Sequence, residues 1–352
     1  MATATLPGGV PIGARIHNRY RVDGHLGGGK NGEVYAVWDE RQQIAVALKV
    51  LTNRPPGGWW VEAESLTALR GDYVLPILNA DSDAGQPFVV TEIMTHGTTA
   101  DQIASFVGVR TDRAAKWIQQ AAVGVARIHD SGRLHTDLKP GNIFLDGNDN
   151  ALVGDLGLSV KMDASGHGHA AGSAETMAPE VAGGGPTSVR SDVYSLGASL
   201  YQLLAGDWLN PDLKPIAHDA AATWAAVSRH KPVPIGDVAP HIPVGLRRVV
   251  MKAISIDPAD RYATAAELAA AVGARTLPAT RWERVPPCLG HVACFVGARA
   301  SGDLKVCSVP TGVGQAIEIQ TTRAMSGRRV NPWVRATPGT LTRKLRARLA
   351  AL

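Results

Sequence analysis

The chain has 352 residues, of which 45% are hydrophobic and 19% charged, and a formal net charge of +5. These proportions exclude a disordered protein, and the length exceeds one average domain, so a substantial core plus a smaller unit is expected. No run of about 18 uninterrupted apolar residues occurs, and no charged segment leads into an apolar one at the N-terminus, which argues against a spanning helix or a secretory signal and predicts a cytoplasmic chain.

Cys288, Cys294 and Cys307 all fall in the last quarter, and an odd number in so long a chain reads as free thiols of a reducing compartment. Charge is unevenly spread. Eight Lys/Arg and no acid follow Glu318, so the basic character belongs to the tail.

Residues 1–19 are rich in Pro, Gly and Ala without periodicity and read as a leader. From Tyr20 the pattern is strand-like and runs into Gly27-Gly28-Gly29-Lys30-Asn31-Gly32, a G-x-G-x-x-G spacing followed by a second strand, Glu33–Trp38. Glycine lets backbone N–H groups approach a phosphate without a Cβ in the way. A dinucleotide-binding fingerprint would open a helix at this point, whereas these glycines enter a strand. After a turn at Asp39–Gln43, Ile44–Leu51 is an apolar run broken by Lys49, whose charge needs a partner there. Residues 59–70 repeat at helical spacing, with Val61, Leu66 and Leu69 apolar and Glu62 and Glu64 acidic. Tyr73–Leu78 and Phe88–Met94 predict two more strands around a polar hairpin at Asp81–Gln86. An Ala-rich helix is expected from Thr111, read as its N-cap, to Asp130.

The stretch Leu134–Leu145 then packs an acid, a base and an amide between apolar ends. Asp137 suits orienting or deprotonating a hydroxyl, Lys139 neutralising a transferring phosphoryl group, and the Asn142 oxygen ligating a hard cation. Further on come Asp155-Leu156-Gly157, Ala178-Pro179-Glu180, Ser191-Asp192-Val193-Tyr194-Ser195-Leu196-Gly197, and Asp257-Pro258-Ala259-Asp260-Arg261.

Taken in order over about residues 20–273, these motifs resemble the eukaryotic-like (Hanks-type) serine/threonine protein kinases, with bacterial ones most similar. The resemblance implies an α+β, bilobal fold, a β-rich N-lobe (20–94) and a mainly helical C-lobe (95–275), and the strand pattern beyond it adds a β-rich C-terminal extension (276–352). The resemblance implies ATP as phosphoryl donor with Mg²⁺, Mn²⁺ being able to substitute. Asp137, Lys139, Lys49 and Glu62 would be catalytic, with Glu64 the runner-up to Glu62 as partner of Lys49. Gly27, Gly29, Gly32, Val34, Ala47, Lys49, Thr91, Glu92 and Met94 would hold the nucleotide, and Asn142 and Asp155 the metal. Lys139, two residues after Asp137, favours Ser/Thr over Tyr specificity. Ser173 would touch Asp137 and Lys139, Asp192 would organise the catalytic loop, and Arg261 would pair with Glu180.

Two departures stand out. Leu156 replaces the family's Phe, keeping an apolar plug. Thr136 replaces the Arg that commonly reads an activation-loop phosphate, so the resemblance implies activity independent of such phosphorylation. Ser159, Ser165 and Thr176 are the candidate autophosphorylation sites, and His167 and His169 read as solvated loop residues. The substrate is expected to be a protein, including the chain itself. The rival is a pseudokinase or scaffold, or an atypical nucleotide transferase, acting through the extension.

In the extension, Leu277–Pro287 reads as a linker with Trp282 docking on the C-lobe, followed by three strands at Val292–Val296, Leu304–Val309 and Ala316–Gln320. Cys288, His291, Cys294 and Cys307 match no common zinc-finger spacing and read as buried strand thiols rather than a zinc set. Thr340–Leu352 places Leu341, Leu345, Leu349 and Leu352 on one face of a basic helix, suited to docking on the body or binding a partner; without an aromatic platform, nucleic acid is disfavoured.

Overall fold

The computed structural model describes residues 6–29, 32–52, 67, 69, 71–103, 107–156, 159–209, 211–217, 219–274, 281–312, 315–330 and 332–352. Strict alternation of side chains builds its first sheet. Strands β1 (Arg15–Ile16), β2 (Tyr20–Gly29), β3 (Gly32–Asp39), β4 (Ile44–Val50), β5 (Ile77–Asp83) and β6 (Gln86–Thr91) pair antiparallel in the order β1-β2-β3-β4-β6-β5. Tyr35, Val37, Val46, Leu48, Phe88 and Val90 point into one cluster with Tyr20 and Val22. Because successive residues face opposite sides, Val34, Ala47, Lys49 and Thr91 share the other face.

Two boundaries differ from expectation. Arg15–Ile16, within the expected leader, adds an edge strand through a tight turn in which His17 and Asn18 both have positive φ. Residues 73–76 leave the sheet: Val74 bridges Val153 in parallel, and Leu75 donates to the Val153 carbonyl. Pro76, with no N–H to give a ladder, suits that exit.

The C-lobe is organised by α1 (Thr111–Asp130), whose Trp117, Ile118, Ala121, Ala122, Val125 and Ile128 are fully buried. Thr111 is the first helical residue rather than the cap, which falls on Arg110. The chain continues through β7 (Arg133–Leu134), β8 (Ile143–Leu145), β9 (Ala151–Val153) and β10 (Val160–Lys161). Then follow helices α2 (Pro179–Ala182), α3 (Val189–Ala205), α4 (Ala220–Val227), α5 (Ile235–Val238), α6 (Val244–Ala253) and α7 (Ala265–Gly273). Helix α3 is buried along its length. Ser188 and Ser191 cap its start reciprocally, and Gly206, at φ 72°, ends it by donating to the Gln202 carbonyl. Helices α1, α3, α6 and α7 pack together, and Leu51, Leu69, Val74 and Ile77 join the same cluster, which ties the two lobes.

The extension is a five-stranded meander, β11 (Arg281–Val285), β12 (Ala293–Ala298), β13 (Leu304–Pro310), β14 (Ile317–Arg323) and β15 (Val334–Ala336), closed by α8 (Pro338–Ala350). The sequence pattern predicts only β12, β13 and β14; β11 is hidden by its charged residues and the prolines around it, and β15 is only three residues long. Trp282 does not dock on the C-lobe. It is buried among Phe295, Val306, Ile319, Leu345 and Leu349, and its indole N–H donates to the Leu349 carbonyl. The apolar stripe of α8 is therefore covered by the extension's own sheet. The extension meets the C-lobe through Arg281 on Asp112 (3.1 Å), Arg346 on Asp237 (2.9 Å) and the Gly236 carbonyl, and the rings of Phe295 and His241, 5.4 Å apart. Among the described residues, no helix is long and apolar enough to cross a membrane.

Candidate active site

The glycine hairpin closes with Gly27 opposite Val34, Gly28 opposite Glu33, and Gly29 opposite Gly32. Gly32 has φ 135°, and a Cβ there would meet the Val50 carbonyl oxygen at 1.9 Å, so no other residue fits. Gly27, at φ 151°, also lies in a region that favours glycine. The hairpin strands belong to the same sheet that carries Val34, Ala47, Lys49 and Thr91 on one face. Glu92 and Met94 follow in the connection to the C-lobe, where Met94 accepts the Gly97 N–H.

Lys49 Nζ stands 2.6 Å from Asp155 Oδ1, both side chains being largely buried. Asp155 adopts φ 57°, a left-handed conformation uncommon for a non-glycine residue, which turns its carboxylate from the end of β9 toward β4. Glu62 and Glu64, the expected lysine partners, lie outside the described residues, as do Gly157 and Lys30.

Below the sheet, Asp137 is 3% exposed and accepts from three side chains. Ser173 Oγ donates to its Oδ1 at 2.6 Å, Asn142 Nδ2 approaches Oδ2 at 3.1 Å, and Lys139 Nζ lies 3.3 Å from Oδ2. Lys139 also donates to Ser173 Oγ at 2.7 Å, so acid, base and hydroxyl close a ring. The Asn142 amide nitrogen donates to the Asp137 carbonyl as well, which commits its NH₂ and leaves its oxygen as a candidate ligand atom. Gly154 N–H donates to the Asn142 carbonyl, placing Asp155 beside Asn142 on neighbouring backbone. A carboxylate and an amide oxygen so placed fit magnesium, a hard cation that prefers oxygen donors.

A buried carboxylate holds this loop. Asp192, 1% exposed, accepts the backbone N–H groups of His135 (2.8 Å) and Thr136 (2.9 Å) and a bond from His129 Nε2 (2.8 Å). Burial alone would push its carboxyl up, but the hydrogen bonds from His129 and from the His135 backbone N–H outweigh it and hold Asp192 below the usual carboxylate range. His135 Nδ1 accepts the Asp137 N–H, so its Nε2–H is the group that meets the Gly154 carbonyl. Thr136 takes φ 68°, a costly conformation for a β-branched residue.

The described residues from 159 to 180 are held by hydrogen bonds and an ion pair to the rest of the C-lobe. Arg133, two residues before His135, donates to Ser159 Oγ and to its carbonyl. Thr176 Oγ1 donates to the Leu138 carbonyl, Gln202 to the Glu175 carbonyl, and Ser195 to the Thr176 carbonyl. Arg261, fully buried at its side chain, meets Glu180 with two 2.7 Å bonds. Ser159 and Thr176 are both 2% exposed with their hydroxyls engaged, which removes them as accessible phosphorylation sites; Ser165 is exposed. His167 holds the Asp163 turn through its backbone and accepts or donates at Ser165.

His129, Arg133 and Glu175 also take part, and no motif in the sequence marks them. His129 had one usable signal, a histidine in the last turn of α1 just ahead of the catalytic loop. Glu175 sits near Lys139 and Asp137, and burial pushes its carboxyl up.

A lysine on a strand, paired with an acid that follows β9, together with an Asp-Lys-Ser ring in the preceding loop, is the arrangement of a phosphoryl-transfer site. The protein kinase domain family matches residues 20–271, and the chain belongs to it, among the bacterial Hanks-type kinases. It is similar to the serine/threonine-protein kinase PknB of Mycobacterium leprae, 30% identical over an alignment of 270 residues, with 72% of this chain and 42% of the relative covered. PknL of Mycobacterium tuberculosis is 28% identical over 267 residues, 73% of this chain and 65% of the relative. PrkC of Bacillus subtilis is 27% identical over 271 residues, 74% and 41%. The chain thus spans less than half the length of PknB and PrkC, and the family match ends before the extension.

Proposed function

We propose that the chain is a working serine/threonine protein kinase that transfers the γ-phosphoryl group of ATP to a protein hydroxyl, its own chain included. The observation that carries this reading is the closed ring of Asp137, Lys139 and Ser173 beside Asn142, with the Lys49–Asp155 pair on the adjoining backbone. A scaffold has no use for these buried charges, each of which would be costly if unpaired.

Asp137 orients the acceptor hydroxyl and receives its proton as the oxygen–phosphorus bond forms and the β–γ bridge breaks. Lys139 offsets charge on the transferring group. Lys49, assisted by Glu62, positions the α- and β-phosphates, under backbone N–H groups around Gly27, Gly29 and Gly32. Val34 and Ala47 flank the adenine from the sheet face they share, Thr91 bounds its far end, and the backbone of Glu92–Met94 bonds its edge. Asn142 and Asp155 would hold magnesium, with manganese able to replace it. When bound, the metal supplies positive charge against the phosphate oxygens. Catalysis then rests on positioning and preorganised charge.

Thr136 in place of an arginine, together with the dense bonding of residues 159–180, supports activity without activation-loop phosphorylation. The free thiols and the lack of an apolar spanning helix among the described residues favour a cytoplasmic location. Intact-mass measurement after incubation with ATP and magnesium tests the class of reaction: addition of whole HPO₃ groups supports the kinase, whereas an unchanged mass or a nucleotide-sized adduct refutes it.

A further inference from the structure

Strands β12 and β13 pair with Cys294 directly opposite Cys307, so both thiols stand on the same face of the extension's sheet. The alternation that sends Ala293 and Phe295 into the core sends Cys294 to the opposite side, with Lys305 and Cys307 beside it. The loop from 286 to 292 folds over that face. Within it Pro286, Pro287, Leu289, Gly290 and Val292 are exposed, Leu289 completely, while Cys288 and His291 alone turn inward. Gly290, at φ 77°, and a bond from His291 N–H to the Cys288 carbonyl make the turn that brings both side chains to the same point. The loop therefore closes on polar and sulfur groups, with no apolar anchor of its own.

The four side chains converge. Cys294 Sγ lies 3.1 Å from Cys307 Sγ, 3.8 Å from Cys288 Sγ and 3.4 Å from His291 Nδ1, and all four ligand atoms lie within 4.8 Å of one another. In a tetrahedral site with Zn–S near 2.3 Å, neighbouring sulfurs stand about 3.8 Å apart. We propose that Cys288, His291 (through Nδ1), Cys294 and Cys307 bind one structural zinc ion. Three thiolates and an imidazole form a closed sulfur-rich set that suits zinc and not the hard, oxygen-seeking cation of the active site. Binding exchanges three S–H bonds for three S–Zn bonds and releases up to three protons to solvent; the imidazole contributes a lone pair.

The surroundings complete the site. A zinc ion with three thiolates carries one net negative charge, and Lys305 Nζ, 3.1 Å from Cys288 Sγ, offsets it. The Cys288 N–H points at Cys294 Sγ at 3.5 Å, a bond of the kind that orients a metal-bound sulfur. The ion would tie the 286–292 loop to β12 and β13. Strand β12 also carries Phe295, which meets His241 of the C-lobe, so the metal would brace the strand through which the extension touches the kinase domain.

The test is the zinc content of the full chain, purified without added metal and washed with a weak chelator, by plasma mass spectrometry and native mass spectrometry. One zinc per chain is expected, released when a mercurial blocks the thiols; cobalt exchange should give tetrahedral d–d and sulfur-to-cobalt bands. Cys288→Ser, in the partly exposed loop, should lose the metal, and Lys305→Ala should weaken it about 10–100-fold in competition with a chelating dye. A metal-free folded chain whose three thiols react freely would overturn the proposal, as would a Cys294–Cys307 disulfide. Full zinc retained by a folded Cys288→Ser chain would mean an adventitious ion only, and would overturn it equally. None of these readouts depends on kinase activity.

Discussion

Lys49 and Asp155, 106 residues apart in the chain, meet at 2.6 Å across the cleft between β4 and the end of β9. Each side chain is largely buried, and the contact sets a lysine nitrogen against a carboxylate oxygen. Under the proposed function the contact places the cation that would position phosphates against the anion that would hold the metal. Lys49→Met should lower kcat/KM for phosphoryl transfer by about 10²–10³-fold, the usual loss when one preorganised charge is removed. Steady-state kinetics alongside far-ultraviolet circular dichroism would separate this from unfolding.

Asp192 supports the loop from beneath. Asp192→Ala leaves the His135 and Thr136 N–H groups buried without their acceptor and should cost about 3–5 kcal/mol in urea unfolding, as when a buried charged partner is lost. Its folded carboxyl is held below the ordinary range, so the unfolded chain takes up the proton first as pH falls. The stabilisation is thus present above the unfolded value and is lost as pH drops through the folded one. The gap between wild type and Asp192→Asn should be widest near neutrality and narrow in acid.

His241 gives a second pH signature, at the contact with the extension. Burial first, then Arg284, lowers its pKa to about 3, and its Nδ1 has no hydrogen-bond partner among the described residues. The folded state resists protonation that the unfolded state accepts near 6.5, so stability is full above that value and falls as pH drops toward 3. The slope approaches about 1.4 kcal/mol per pH unit within that window. His241→Leu should flatten this part of the profile in denaturant titrations between pH 7 and pH 4.

Ser159 and Thr176 are buried and bonded, whereas Ser165 sits on an exposed turn. Phosphopeptide mapping after incubation with ATP should therefore place no phosphate on Ser159 or Thr176 of the folded chain. Phosphatase-treated protein should keep its rate to within about twofold, since no arginine at position 136 waits for a phosphate. Loss of most activity on that treatment would refute the reading.

Much of the kinase core was legible because its chemistry restricts residue type. Gly32 cannot carry a Cβ against Val50, Lys49 needs an acid, and Asp137, Lys139 and Asn142 must be neighbours in a short loop. Features set by register or by weak local patterns were not legible. Strand β1 is two residues long, and its turn uses His17-Asn18 in place of the Asn-Gly that signals such hairpins. Strand β11 reads as linker until Trp282 finds the core of the extension. The four-residue sulfur and nitrogen cluster was seen as spacing but not as a site, because only the pairing of β12 with β13 puts Cys307 beside Cys294.

Under the proposed function the Asp137 carboxylate receives the proton of the acceptor hydroxyl. The most direct measurement is transfer of radiolabelled phosphate from ATP by Asp137→Asn chain, with nucleotide affinity determined in parallel by calorimetry. The account predicts a fall in transfer of about 10²–10⁴-fold, the contribution of a positioned general base, with ATP binding retained. Transfer at the wild-type rate by the folded Asp137→Asn chain would contradict it.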